Sequence, residues 1–413
     1  MNRRKCRFCQ AQLNVSFVDL GLSPLSNAFT ELGKINGGNR FYPLHVYVCE
    51  QCFLVQLEEF ESPQDIFGEE YAYFSSFSES WLQHAKEYVD NMIERYSINS
   101  SSKVVEIACN DGYLLQYFKE RNVPVIGIEP AGNVAEEARK KGIPVVSDFF
   151  GEKLAELFVA RGEQADLIIG NNVLAHVPDI NDFVKGLKRL LKDGGLITIE
   201  FPHLLALIQE NQFDTIYHEH FSYFSLSTVQ KIFSYHGLTV FHVEKLLSHG
   251  GSLRIYARHK QDFSRSTTTT VDEIIKLEKA KGLQDIETYR LFFQQVEKTK
   301  RNILAFLIQL KNEGKRIVGY GAPAKGNTLL NYCGIRSDFI DYVVDINPYK
   351  QGLLLPGSLI SIYEPERIRE TKPDIIVIMP WNIKEEVMEQ MSYVHEWGGE
   401  FAVFIPNPKV LKL

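Results

Sequence analysis

"KVVEIACNDGYLL", residues 103–115, decides the fold. A short apolar run closes on an acid, a loop of small and polar residues follows, and an amphipathic segment begins. A strand that feeds such a loop and then a helix lets backbone approach a nucleotide-like cofactor closely. The pattern then repeats. "PVIGIEP" reads as a strand and "NVAEEARKKG" as a helix closed by Gly142. "IPVVSDFF" and "ADLIIGNNVL" read as strands, "DINDFVKGLKRLLKDGG" as a helix with a glycine stop, and "LITIEF" as a strand. This alternation predicts a parallel, doubly wound α/β sheet. Beyond it, "LSTVQKIFSYHG" predicts a helix with Ser227 and Gln230 at capping-box spacing. "LTVFHVEKLLSHGGSLRIYARH" predicts a closing hairpin.

The loop points to the cofactor. Class I methyltransferases carry E/D-x-G-x-G-x-G at this place. Here Glu106 supplies the acid, Ala108 and Asn110 stand at the first two glycine positions, and only Gly112 remains. The neighbours strengthen the reading. Glu129 closes the second strand about 20 residues on, where a carboxylate accepts ribose hydroxyls. Asp148 and Phe149 follow the third strand and suit an adenine amino group and ring face. Asn171 ends the fourth. A dinucleotide is the rival, but "ACNDG" lacks the glycines that seat a pyrophosphate on a helix N-terminus. S-adenosylmethionine needs no phosphate seat.

Flanking segments add a metal site and a second nucleotide-type fold. Cys6 and Cys9 in "CRFC" and Cys49 and Cys52 in "CEQC" form a paired C-x2-C pattern. Two turns, each giving one edge of a tetrahedron, predict a closed, structural zinc site. "WLQHAKEYVDNMIERYSI" has helical periodicity. A later strand–helix series contains "RIVGYGA", "FIDYVVD", "DIIVIMP" and "FAVFIP". The 413 residues exceed one hydrophobic core. They divide into a zinc-binding segment (1–65), a methyltransferase segment with a helical lead-in (66–262), and connecting helices with a C-terminal Rossmann-like segment (263–413). A net charge of −7 without a basic block argues against nucleic acid. No apolar run reaches membrane-spanning length, and "MNRRKCRFCQ" lacks a signal-peptide core. The expectation is a cytoplasmic monomer that engages neither membrane nor nucleic acid.

"YHEHFSYFS", residues 217–225, concentrates proton-handling groups. His and Tyr also fill half-buried positions, and His218 and His220 would share a metal-binding face if the loop were extended. The loop follows the fifth strand, however, at the sheet edge where open α/β sheets bind ligands. That position favours acid–base catalysis. In "GYGAPAKGNT", Gly319, Gly321 and Gly326 with Lys325 resemble a phosphate loop opening a helix. The alternative is a tight turn with a solvated lysine.

Taken together, the cysteine pairs, "LGLSPLSNAF", "YAYFSSFS", the cofactor loop, "NNVLAHVPD", "YHEHFSYFS" and "GYGAPAKGNTLLNY" resemble the NDP-sugar C-3 methyltransferases over essentially the whole chain. The resemblance implies a zinc-containing, S-adenosylmethionine-dependent enzyme acting on a 4-keto-6-deoxy sugar nucleotide, dTDP-linked by default and GDP-linked next, in branched deoxysugar biosynthesis. It places the base on His220, supporting polar groups on Tyr71, His176, Tyr217 and Glu219, and sugar-nucleotide contacts on Gly321, Lys325, Asn327 and Tyr217. Two rivals stand beside it. One is an O- or N-methyltransferase on a sugar or small molecule. The other is a non-catalytic binding module, which the sparse glycines of the loop would suit.

Overall fold

The computed structural model describes residues 4–66, 68, 71 and 73–411; Ala72 of "YAYFSSFS" lies outside the described residues. The chain opens on the first cysteine turn and continues through β1 (Val15–Ser23), β2 (Thr30–Glu31), β3 (Tyr42–Val48), β4 (Val55–Leu57) and the short α1 (Pro63–Ile66). Each cysteine turn closes on a left-handed residue, Gln10 and Phe53. The Gln10 and Phe53 amides bond back to the Cys6 and Cys49 carbonyls at 3.0 and 2.9 Å.

The amphipathic lead-in becomes α2 (Glu79–Tyr96), capped by Ser78. There follow β5 (Val104–Ile107), α3 (Leu115–Glu120), β6 (Val125–Ile128), α4 (Gly132–Lys140), β7 (Val145–Val146), α5 (Glu152–Ala160), β8 (Ala165–Asn171), α6 (Ile180–Leu190), β9 (Leu191–Pro202), α7 (Leu204–Gln209), β10 (Ser222–Tyr223), α8 (Leu226–Tyr235), β11 (Leu238–Leu246) and β12 (Ser252–His259). Seven of these strands form one sheet in the order β11-β12-β9-β8-β5-β6-β7. It is parallel from β9 to β7, and the β11–β12 hairpin is antiparallel. The order reverses at β5, so the loop after β5 sits at the crevice where such sheets hold ligands.

The connecting segment is helical: α9 (Thr269–Ala280) and the long α10 (Ile286–Asn312). The last part runs β13 (Ile317–Tyr320), α11 (Ala324–Cys333), β14 (Val343–Val344), β15 (Leu353–Leu354), β16 (Ile362–Tyr363), α12 (Glu366–Thr371), β17 (Ile375–Ile378), α13 (Lys384–Gln390), β18 (Glu400–Val403) and β19 (Lys409–Leu411). Its six-stranded sheet has the order β16-β14-β13-β17-β18-β19.

The N-terminal sheet has no core of its own. One side of it shares a core with α10 and the C-terminal sheet, where Phe17 stacks on Phe292 with centroids 4.6 Å apart. The cysteine turns share a core with the methyltransferase sheet. A second link is covalently remote: β10 leaves the "YHEHFSYFS" loop and completes the N-terminal sheet, pairing Ser222 with Gln56 and Tyr223 with Val55.

Three local expectations change. The strand in "IPVVSDFF" shrinks to Val145–Val146, because only Gly127 and Ile128 of β6 offer it a ladder. Helix α3 starts at Leu115 because Gly112 has φ +76°, and a Cβ there would lie 2.4 Å from Ile143. The cap of α8 is Ser225, not Ser227. Ser227 is drawn away because the buried Glu278 carboxylate accepts its hydroxyl and amide and the Leu226 amide. That carboxylate caps the positive end of the helix.

Candidate active site

The loop after β5 keeps the left-handed path that glycines would normally take. Ala108 has φ +56° and Asn110 φ +49°. Asparagine tolerates this region, whereas alanine in it stores about 1–3 kcal/mol of strain. Such strain persists only where the surroundings fix it. Here the lead-in does so. Asn110 Oδ1 accepts the Ser75 amide at 2.8 Å, Asn110 Nδ2 donates to the Tyr73 carbonyl at 3.2 Å, and Asp111 accepts the Ser76 amide at 3.2 Å. Phe74 reaches past the loop to stack on Tyr349 of the C-terminal part, 5.4 Å away. The "YAYFSSFS" segment therefore roofs the loop and touches the connection after β14 in the C-terminal part.

The residues below that roof fit S-adenosylmethionine. Glu129 is 5% exposed, and its two oxygens accept the Asn110 and Ala131 amides at 3.0 and 2.9 Å. Burial pushes its pKa up to about 7. Glu106 is fully buried, and the Tyr113 hydroxyl donates to its carboxylate. Burial drives its pKa well up. A buried carboxylate with one side-chain donor has room for a further donor such as an ammonium group, which the methionyl end of the cofactor carries. Asn171 Oδ1 is buried and has no hydrogen-bond partner. Asp148 and Phe149 are exposed at the edge of the crevice, open to a ring lying there. Glu129→Ala should weaken S-adenosylmethionine binding by about 1–3 kcal/mol, the cost of leaving buried polar groups unpaired. Calorimetry showing wild-type affinity would remove Glu129 from the site.

The four cysteine thiols meet the geometry of zinc. Their sulfurs all lie within 4.8 Å of one another. Cys6–Cys52, Cys9–Cys49 and Cys9–Cys52 are 3.6, 3.5 and 3.7 Å apart. Zinc–sulfur bonds of about 2.3 Å on a tetrahedron require edges of about 3.8 Å. A disulfide would need about 2.05 Å. With four thiolates the site is closed.

At the other end of the crevice the 217–220 segment is a turn, closed by the His220 amide on the Tyr217 carbonyl at 2.9 Å. This turn separates the two histidines. His218 is 4% exposed, donates through Nε2 to the Pro43 carbonyl at 3.3 Å, and packs between the edges of Tyr42 and Phe60. It belongs to the N-terminal sheet, so the shared metal-binding face does not form. Among the described residues only the four cysteines group as metal ligands. His220 turns the other way. Its ring lies 4.0 Å from Tyr217 and 4.7 Å from His176. A carbonyl can only accept, so the 2.8 Å contact to the Thr215 carbonyl places the proton on Nδ1 and leaves the lone pair on Nε2. Burial and the neighbouring His176 hold the His220 pKa well below 6.5. His176 donates from Nδ1 to the Glu219 carbonyl at 2.9 Å, and burial pushes its pKa to about 4. Burial keeps the Tyr217 hydroxyl protonated, a donor.

Glu219 is buried and accepts from Asn27 Nδ2 at 2.6 Å and from the Tyr71 hydroxyl. Burial lifts its pKa to about 7 despite those donors. The structure thus brings Tyr71, His176, Tyr217, Glu219 and His220 together. It adds Asn27, whose partner lies 192 residues away and which no local pattern marks. It also adds His249, in the β11–β12 turn at φ +53°, which accepts from Asn172 Nδ2 at 2.9 Å. The "SHGG" turn was the only visible signal.

The C-terminal candidates divide. Gly321, at φ +87°, makes the expected strand-to-helix turn, since a Cβ there would lie 2.6 Å from Pro380. The next amide is already bonded to Asp345 Oδ2 at 2.7 Å. Lys325 is not a solvated lysine. Its ammonium donates to Asn382 at 2.5 Å and lies 4.7 Å from the Trp381 ring, and burial lowers its pKa to about 8. Its charge is felt at His220 and His249, so it faces the crevice. Asn327 is 1% exposed and donates to the Ser26 carbonyl at 2.6 Å. That bond clamps the "LSNAF" loop, and the buried Asn327 Oδ1 has no hydrogen-bond partner.

Comparisons with known proteins identify the family and its three regions. Residues 6–67 match the family described as "Putative zinc binding domain", residues 81–243 "Methyltransferase domain", and residues 247–406 "C-methyltransferase C-terminal domain". The chain is 35% identical to the C-methyltransferase NovU of Streptomyces niveus over 98% of this chain and 96% of that one. A ubiquinone biosynthesis O-methyltransferase of Chelativorans sp. is 29% identical over 24% of this chain and 39% of its own. The S-adenosylmethionine-bound magnesium protoporphyrin IX methyltransferase of Synechocystis PCC 6803 has a TM-score of 0.34 at 15% identity, covering 47% of this chain and 88% of that one. No helix among the described residues is long and apolar enough to cross a membrane.

Proposed function

Because this chain belongs to the C-methyltransferase family, we propose that it methylates C-3 of a nucleotide-linked 4-keto-6-deoxy sugar, with dTDP the first carrier to test and GDP the next. A saturated sugar carbon is not a nucleophile. Next to a ketone it becomes one, since loss of the C-3 proton gives an enolate spread onto the C-4 oxygen. The observation that carries the reading is His220, neutral, half-buried, with Nε2 bearing the lone pair beside the protonated Tyr217 hydroxyl and the neutral His176 ring. That is a base with hydrogen-bonding groups next to it, as enolisation requires. S-adenosylmethionine supplies the methyl group as an electrophile.

The chain's own residues have distinct tasks. Thr215 holds the His220 tautomer through its carbonyl. Tyr217, whose hydroxyl keeps its proton, donates where oxyanion charge develops, while neutral His176, its N–H spent on the Glu219 carbonyl, packs beside the base. The Lys325 ammonium adds positive potential from the C-terminal side, either for the enolate or for the diphosphate. Glu219, fixed by Asn27 and Tyr71, orders the turn and accepts from a sugar hydroxyl. An O-methyltransferase would need a base but no adjacent ketone, and the O-methyltransferase relative named above matches only 24% of this chain. The decisive experiment incubates 4-keto-6-deoxy sugars on TDP, GDP, CDP and UDP carriers with S-adenosylmethionine and locates the methyl by NMR. A new methyl on C-3 is expected. A methyl on oxygen or nitrogen overturns the reading, and no turnover with intact S-adenosylmethionine binding favours a binding module.

A further inference from the structure

His176 and His220 sit 4.7 Å apart but belong to separate irregular segments, 174–178 and 215–221. Neither segment is long regular structure; the His176–Glu219 and Phe221–Ala175 bonds tie them to each other, and the tied pair is anchored to the rest of the fold from outside. The residue that reaches both is Arg7, the first residue inside the "CRFC" metal turn. Its Nη1 donates to the Pro178 carbonyl at 2.7 Å, two residues after His176. Its Nη2 donates to the Leu57 carbonyl of β4, and the guanidinium carbon lies 5.5 Å from the Phe221 ring, the residue after His220. Those three segments also bond to one another. The Phe221 amide donates to the Ala175 carbonyl at 2.7 Å, and the Leu57 amide to the Phe221 carbonyl at 3.0 Å.

The base of this arrangement is the metal turn itself. The Arg7 amide donates to Gln56 Oε1 at 2.8 Å, and Gln56 Nε2 donates to Cys6 Sγ at 3.2 Å. Asn181, at the start of α6, donates to the Arg7 and Phe8 carbonyls at 3.1 Å each. A planar fork of donors suits a residue that must fix several acceptors in one plane, which a flexible ammonium does not. We propose that Arg7 is a positioning residue for the catalytic pair: it transmits the rigidity of the zinc-bound turn to His176 and His220.

The proposal rests on the catalytic reading of His220, but its main measurements need no sugar. Arg7→Met keeps the four thiolates and the aliphatic stem and removes the fork. Zinc-loaded Arg7→Met should keep one zinc per chain and unchanged S-adenosylmethionine affinity. Its histidine ring signals in a 15N-histidine spectrum, assigned with His220→Asn and His176→Asn, should move. Amide exchange across 217–224 should quicken. On any sugar the wild type accepts, kcat should fall by at least about tenfold, since small misplacements at a reacting centre cost up to about 10²-fold. Arg7→Lys should recover only part of the loss. Unchanged ring signals and exchange in zinc-bound Arg7→Met overturn the proposal, whatever the substrate. Should Arg7→Met lose its zinc, Arg7→Lys is read by the same criteria. If both lose zinc, Arg7 serves the metal turn alone and the proposal falls.

Discussion

His220→Asn should slow turnover by about 10²–10⁴-fold, the contribution of a positioned general base, while both S-adenosylmethionine and the sugar nucleotide still bind. Asparagine can still donate to the Thr215 carbonyl but has no nitrogen lone pair to take a proton. The control is His218→Asn. His218 lies against Pro43, Tyr42 and Phe60, so its loss should lower stability a little and leave turnover near wild type. Solvent-deuterium exchange at C-3, if wild type shows it without methyl transfer, should vanish in His220→Asn only. The pH profile follows from the same site. A base must be unprotonated to act, and burial with His176 holds the His220 pKa below 6.5. Turnover should therefore persist as pH falls through 6.5 and decline only below it. A dead His218→Asn beside a normal His220→Asn would move the base.

Removing the zinc should do more damage to the fold than any single core substitution. Structural zinc sites bind with about 10–16 kcal/mol of apparent free energy. A whole domain is stable by only about 5–15 kcal/mol. The N-terminal sheet cannot absorb that loss, because its apolar faces are buried against α10, the C-terminal sheet and the methyltransferase sheet rather than within a core of its own. Chelation, or Cys52→Ser, should lower the melting temperature sharply and release protection first in residues 4–57 and then in β10. Buried Thr228 should follow, since its hydroxyl donates to the Cys52 carbonyl at 3.1 Å. Metal analysis, thermal melts and amide exchange measure this together. A zinc-free chain with wild-type melting would show that the four thiols do not stabilise the fold.

The doubly wound sheet, its closing hairpin and the four-cysteine site were legible in the chain because their signals are local: apolar runs of strand length, helical spacing, and paired C-x2-C turns. The same reasoning gave the proposed site its address, since a loop after the fifth strand emerges at the ligand-binding edge. Other features lay beyond any local pattern. Ala108 and Asn110 read as an eroded glycine loop, yet their backbone holds the left-handed path because residues 73–76 bond across it. His218 and His220 looked equivalent, and only the turn at 217–220 sends one into the N-terminal sheet and the other into the crevice. Asn27, Lys325, Asn327 and His249 acquired their tasks from partners far away in sequence. Periodicity records which face of an element is buried. It does not record which distant side chain completes a buried group's hydrogen bonds, and that pairing is fixed only when the three sheets close on one another.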